Sequence, residues 1–444
     1  MKRRRVLTFV SFLLAVVFTA SVGAKTTIKV YHRNETREVQ WLKEIEIEFE
    51  EAHPDIDLDL IEGIGGGGHG YAERLAVLWA GGSAPDVFYG STDKAGYILN
   101  GWALDVSEYL KRDKKEMGLD DFFPGVFEAS TRNGRNMGVP AIAMAQSIFY
   151  NKRLFAEAGL APPPTDWNDP GWDWSDFVAC CRKLTRFDEE SRAIQAGVGE
   201  VNVNDFLWNH GGDRFPAEAY STGIAEYMTL VNAANIEAYT RVQDLYVHRG
   251  YSAAGPRSAV SGWDGFWNGT VAMDWSGWWK VRNYLEVKAA GGMPFEWGIA
   301  PVPRVENRAN TRWSDPWFIA SITKHPDEAW EFVKYVTSRQ GQISYARFVA
   351  FPPSRQSVLP AFLETIESAS GMSRSEALTA LSGALQHSRA AQDEIIGGTS
   401  VIQQILDEEL QPMLQGERDV RQALEAAERR ANIALRDLAE GWRQ

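Results

Sequence analysis

Residues 56–89, IDLDLIEGIGGGGHGYAERLAVLWAGGSAPDVFY, decide the fold class. Ile56, Leu58 and Leu60 alternate with Asp57 and Asp59, the period of a half-buried strand. A glycine-rich loop at 63–70 follows, then a helix over about 71–79, a stop at Gly81 and Gly82, and a second strand at 86–89. Upstream, Ile28 and Val30 alternate in a strand at 26–31, and Leu42, Ile45, Phe49 and Ala52 recur at helical spacing until Pro54 ends the run. Strand, helix, strand, helix, strand predicts an α/β lobe with a parallel sheet and helices on both faces. Ligands of such sheets lie beyond the carboxyl ends of the strands. That rim holds residues 32–36, 63–71 and 89–94, where Arg33, Glu35, Tyr89, Asp93 and Lys94 are able to hydrogen-bond a ligand.

The glycine run satisfies G-x-G-x-x-G between a strand and a helix, the place of a dinucleotide loop. The acidic residue expected at the end of the next strand is absent, because Asp86 begins that strand. A flexible loop at the cleft accounts better for four consecutive glycines, and no cofactor is expected.

Further upstream, Lys2-Arg3-Arg4-Arg5, an apolar run at 6–18 and small residues ending at Ala24 make the pattern of a secretory signal peptide. Its apolar part is too short for a membrane span. No cysteine sits near the expected cut, so export to the periplasm without a lipid anchor is the expectation. The formal net charge is −13, and removing four leader cations would make it more negative, which disfavours nucleic acid and anionic lipid as partners. The rest of the 444 residues suffices for two cores. The only cysteines, Cys180 and Cys181, are adjacent within a helical pattern, where a bridge between them would be strained.

Downstream, Gly138-Val139-Pro140 leads into an apolar segment at 141–151 that suits a long strand crossing between lobes. A helix starts near Trp174 with Ser175 as its expected cap, and Trp208 and Asn209 stand beside the turn Gly211-Gly212. A helical region is expected over about 225–247, and strands near 297–303 and 312–323. Pro326 opens a helix with Ala329, Phe332, Val333 and Val336 on one face, closed by Gly341. From residue 362 onward the pattern is helical.

Residues 263–279, WDGFWNGTVAMDWSGWW, hold five of the 17 tryptophans among three glycines, with Asp264 and Asp274 between them. Indoles offer flat apolar faces and carboxylates accept hydroxyl hydrogen bonds, a pairing that suits a carbohydrate ring. The core alternative buries Trp267 and Val271 and leaves the other indoles to cap a lobe. Asp264 and Asp274 could also be imagined as a glycosidase acid and base, but nothing in the sequence fixes their separation. No H-x-x-x-H pair and no G-x-S-x-G elbow occurs, so neither a metal site nor acyl transfer is supported.

Four segments in order resemble the extracellular solute-binding proteins of sugar ABC transporters, the group that includes maltose-binding protein. They are Ala84-Pro85-Asp86-Val87; Gly138-Val139-Pro140 with residues 150–160; Phe266-Trp267-Asn268-Gly269-Thr270-Val271-Ala272-Met273 with Ser276-Gly277-Trp278; and residues 329–340 with the turn at 351–358. The resemblance implies a periplasmic-binding-protein-like α/β fold of two hinged lobes with parallel-type sheets and a helical C-terminal region. It puts residues 25–143 and 302–321 in the first lobe, and 144–301 and 322–444 in the second. The implied activity is non-enzymatic: a monomeric receptor that closes on a carbohydrate, an oligosaccharide by preference, and presents it to a membrane permease. The site it implies comprises Trp278 as the stacking indole, with Tyr89, Asp93, Glu35, Trp313, Asp315 and Arg355, to which the reading of the residues adds Trp275, Arg33, Trp208 and Asp264. A polyol, a glycerol phosphodiester, a polyamine or glycoside hydrolysis stays open as an alternative. A phosphate ligand would need Arg33, Lys94, Lys280, Arg312 and Arg355 to converge.

Overall fold

In this computed structural model residues 25–64 and 69–443 are described. The expected signal peptide at 1–24 and the middle of the glycine run at 65–68 lie outside the described residues. The first lobe is built as the opening stretch predicts. Thr26–His32 is flanked by Ile56–Glu62 and Val87–Tyr89, both parallel to it, and the helices Thr36–Ala52 and His69–Ala80 connect them. Trp41, Leu42, Ile45 and Phe49 form the buried stripe of the first helix. Beyond Val87–Tyr89 the sheet departs from the expected parallel arrangement. Pro316–Ile319 joins it antiparallel because it arrives from the opposite lobe, and Gly138–Pro140, which leads out towards that lobe, pairs antiparallel with it.

The second sheet is also mixed. Its axis is Met144–Asn151, buried along its whole length and antiparallel to Val271–Gly277 on one side. On its other side two short strands share its edge, Trp297–Ala300 and Asn310–Trp313. Ala193–Val198 and Ser388–Ala390 extend the sheet by parallel pairing.

Three chain crossings between the lobes lie side by side. Ile142 N–H donates to Ser314 O and Ala143 N–H to Pro352 O, both at 3.2 Å. The later crossings lie elsewhere than the expected boundaries. Asn310–Trp313 belongs to the second sheet, so the return to the first lobe occurs at Ser314 and Asp315 rather than at residue 302. The helices Pro326–Thr337 and Arg339–Phe348 cover the first lobe, because the apolar face of Ala329, Phe332, Val333 and Val336 meets its sheet and Trp41 Nε1–H donates to Ser344 Oγ at 3.2 Å.

Local capping refines three expectations. Asp173 caps the helix Trp174–Leu184, since its carboxylate accepts both the Ser175 and Asp176 N–H groups. Gly341 lies inside Arg339–Phe348, whose cap is Ser338. The helix expected at 225 starts later, as Ala233–Gln243, where Asn232 supplies the cap. Cys180 and Cys181 are free, as their adjacency in the helix requires. The C-terminal pair Thr399–Leu414 and Val420–Arg443 pack against each other, with Ala423, Leu424, Ala427, Ala431 and Leu435 buried at helical spacing.

Candidate functional site

Two adjoining cavities lie where the second sheet, the crossings and the helix Thr399–Leu414 meet. The first has a volume of about 560 Å³ and the second about 440 Å³, and both are bounded by Asn204, Arg214, Trp313, Gln403 and Leu406. Each falls in the range of small-molecule sites. The first is walled by Trp275 and Trp279 at the end of the strand Val271–Gly277, by Trp263 from the preceding loop and by Trp313 from the crossing. Ala72, Glu73, Thr92 and Asp93 of the first lobe face Asn204, Arg214 and Phe215 of the second across the other cavity.

The indoles are held by named partners. Trp275 Nε1–H donates to Asp205 Oδ2 at 3.1 Å, and Thr311 Oγ1 donates to Asp205 Oδ1 at 2.6 Å. Burial pushes the Asp205 carboxyl up to about 7, against those two hydrogen bonds. Gly277 lets Trp279 fold back over the strand end, where any Cβ would run into its ring. The Trp279 and Trp313 rings then meet at 5.1 Å.

Polar groups interleave with the rings. Asp274 accepts from Tyr284 Oη at 2.7 Å and pairs with Lys280 Nζ at 3.7 Å. Burial raises the Asp274 carboxyl, and Lys280 and Tyr284 oppose the shift. Glu200 is raised by its burial and then by Asp274. Lys280 Nζ donates to Trp263 O at 2.9 Å and sits 3.8 Å above the Trp263 ring, a cation–π contact that anchors this rim. Gln146 Oε1, Asn204 Oδ1 and Arg214 Nε are buried at the cavity walls without a hydrogen-bond partner among the described residues. Buried polar atoms are rarely left so, and three along one cavity point to a ligand that completes them.

Of the residues expected at the site, Trp275 and Trp313 line the first cavity, and Trp313 and Asp93 the second. Trp278 requires correction. It is 0% exposed, donates Nε1–H to Ser147 Oγ at 3.0 Å and packs near Phe149 and Phe362, so it is a core residue and the indole offered to the cavity is Trp279. Asp264 is half-buried on its loop and lines neither cavity, whereas Asp274 lines the first. Trp208 is buried with Nε1–H on Asp213 Oδ2 and Arg389 over its ring.

Arg33, Tyr89 and Asp315 form a buried ionic knot beneath the crossing rather than a cavity wall. Arg33 pairs with Glu38 at 2.6 Å, lies 4.7 Å over Tyr89 and is 3.6 Å from Asp315, which also pairs with Lys94 at 2.7 Å. Glu35 is taken by Arg282 of the other lobe at 3.3 Å. Arg355 donates to Thr337 O at 2.7 Å and stacks over Phe122, holding the turn to the first lobe. Arg312 pairs with Glu128 at 2.8 Å. Of the five cations that a phosphate would require, Lys280 alone lines a cavity, and Arg33, Lys94, Arg312 and Arg355 are engaged elsewhere.

Trp279, Lys280, Glu200, Gln146, Asn204 and Arg214, together with the helix Thr399–Leu414, complete the site without having been singled out as its members. The doubled Trp278-Trp279 was the available signal for the first. An amphipathic helix that walls a cleft has the same spacing as one that fills a core, so the last left no signal.

The family model of bacterial extracellular solute-binding proteins matches residues 34–343. Relatives from Brucella abortus are 24% identical over 131 residues, 28% of this chain, and that match spans only 31% of their own length. The mannitol-binding protein of Pseudomonas aeruginosa is 26% identical over 351 residues, 74% of this chain and 71% of that protein. Among solved structures, an ABC substrate-binding protein of Listeria monocytogenes in complex with cycloalternan superposes with a TM-score of 0.74 at 21% identity, covering 93% of this chain and 99% of the other. That likeness establishes the two-lobe fold.

Proposed function

The chain belongs to the bacterial extracellular solute-binding proteins, and from that premise we propose that it captures a carbohydrate in its cleft and delivers it to the membrane permease of an ABC importer. The observation that carries the proposal is the meeting of Trp275, Trp279 and Trp313 with Asp274, Glu200 and the unpartnered Gln146 Oε1 and Asn204 Oδ1 around one cavity. Indole faces take the apolar face of a sugar ring, and the carboxylates and amides take its hydroxyls. Closure is a population shift: a ligand that touches both lobes binds the closed state better and so favours it. The cycloalternan complex of the Listeria relative in fold supports the ligand class.

The test is tryptophan fluorescence of the purified protein, titrated with mono- and oligosaccharides, polyols and polyamines, with product analysis of each mixture. A saturable change with a sugar and no product is expected. Appearance of products would replace the receptor by a hydrolase, and a response to polyamines alone would remove the sugar. A polyol is the second reading, favoured by the mannitol-binding relative; a response to mannitol without any response to pyranosides would select it.

A further inference from the structure

The two cavities differ in which lobe they touch. Among the described residues the first is lined by the second lobe and the helix Thr399–Leu414 without any residue of the first lobe, whereas the second brings in Glu73, Thr92 and Asp93 of the first lobe. Of the five lining residues they share, Arg214 alone is charged. The residue is 8% exposed, and its Nε–H has no partner among the described residues. Among the described residues the only hydrogen bond from its guanidinium to another side chain runs from Nη2 to Tyr239 Oη at 3.5 Å, no salt bridge engages it, and its backbone N–H donates to Asp213 Oδ1 at 2.7 Å. The neighbouring Asp213 is already committed, accepting from Trp208, Tyr220, Arg389 and Gln392.

A guanidinium withdrawn from water without a counter-charge is costly, and the cost is relieved when acceptors reach it. Its planar donors suit two adjacent oxygens, such as vicinal hydroxyls. Resting on the carbohydrate reading above, we propose that Arg214 is the residue that gauges ligand length: it holds the sugar oxygens at the neck between the chambers, so that only a ligand extending past it reaches the first lobe and draws the lobes together. A single ring in the first chamber meets Trp275, Trp279 and Trp313 but leaves Glu73, Thr92 and Asp93 uncontacted. The ligand class is therefore an extended oligosaccharide.

The experiment is calorimetry of the parent, R214Q and R214K with ladders of one to four units of α-glucosides, β-glucosides, β-mannosides and β-xylosides, with the radius of gyration of each complex from solution scattering. In the parent, the longest bound member of a ladder compacts the protein and the shortest does not. R214Q narrows the affinity ratio between those two by roughly 10–100-fold, the worth of a charged hydrogen bond, and R214K narrows it less. Thermal unfolding identifies a variant that fails to fold, in which case R214K carries the comparison. Equal losses for short and long ligands, no loss at all, or equal compaction by both would overturn the role of Arg214 while leaving the carbohydrate reading intact. Absence of binding by every ladder would instead sink the carbohydrate reading itself.

Discussion

The indoles of Trp279 and Trp313 meet edge to face, with centroids 5.1 Å apart and planes at 80°. One comes from the end of the strand Val271–Gly277 and the other from the crossing back to the first lobe, so the corner they make stands at the root of the cleft. A sugar ring laid on one face meets the edge of the other. W279A and W313A are each expected to weaken binding by roughly 2–4 kcal/mol, as at aromatic hot spots. W278A is expected to lower folding stability by about 3–5 kcal/mol through the cavity it leaves, while the folded fraction keeps its affinity. Calorimetric titration beside urea unfolding separates the two behaviours; a W278A protein that folds as stably as the parent but no longer binds would return Trp278 to the site.

Lys94 is 0% exposed and lies 2.7 Å from Asp315 and 2.9 Å from Glu394. Burial works against its charge, but Asp315 and Glu394 outweigh that and hold its pKa above the ordinary lysine range. Asp315 adopts φ +34°, a left-handed conformation uncommon outside glycine, and the ion pair secures it there. K94M leaves two carboxylates buried without their partner and is expected to cost about 3–5 kcal/mol. Urea unfolding reads this directly, and a change below about 1 kcal/mol would show that the knot does not hold the crossing.

Asp205 supplies a pH dependence of stability. Its carboxyl is pushed from 3.8 up to about 7 in the folded protein. Between those values the folded state keeps a proton that the unfolded state has lost, so the contribution is complete at about pH 4, declines as pH rises to about 7, and is flat above. The slope is about 1.4 kcal/mol per pH unit. D205N should remove this component of the slope across pH 4–7, with unfolding free energies measured at each pH. Parallel profiles for the parent and the variant would refute it.

Asp93 supplies one for binding. Burial, with a smaller contribution from Asp393, lifts its carboxyl to about 6 against the N–H groups of Gly398 and Gly96. A ligand hydroxyl donating to Asp93 favours the ionised form, so affinity should rise from pH 5 to pH 7 for ligands that reach the second chamber. D93N should bind more weakly at pH 7 and lose that pH dependence. An unchanged profile in D93N would place the ligand elsewhere.

The parallel start of the first lobe was legible because periods of 2 and 3.6 are local properties of Ile56–Glu62 and His69–Ala80. The tryptophan-rich stretch was legible as a binding wall, but not which indole served. Val271–Gly277 is buried along its whole length, so alternation carries no signal of the cavity side, and the reversal at Gly277 exchanges the places of Trp278 and Trp279. Arg33, Tyr89 and Asp315 carry the right chemistry for a ligand. They were misread because a side chain that hydrogen-bonds a solute is equally able to bond a buried neighbour.

The sequence by itself determined the leader pattern, the α/β class, the two lobes and the aromatic and acidic character of the site, because these follow from local periodicity and composition. The tertiary structure alone decided that Pro326–Thr337 covers the first lobe, that Thr399–Leu414 walls the cleft, and that Arg214, which both chambers share, has no counter-charge among the described residues. Each of these depends on which distant segment packs against an apolar face or a charge, and residue spacing along the chain leaves that choice of partner undetermined.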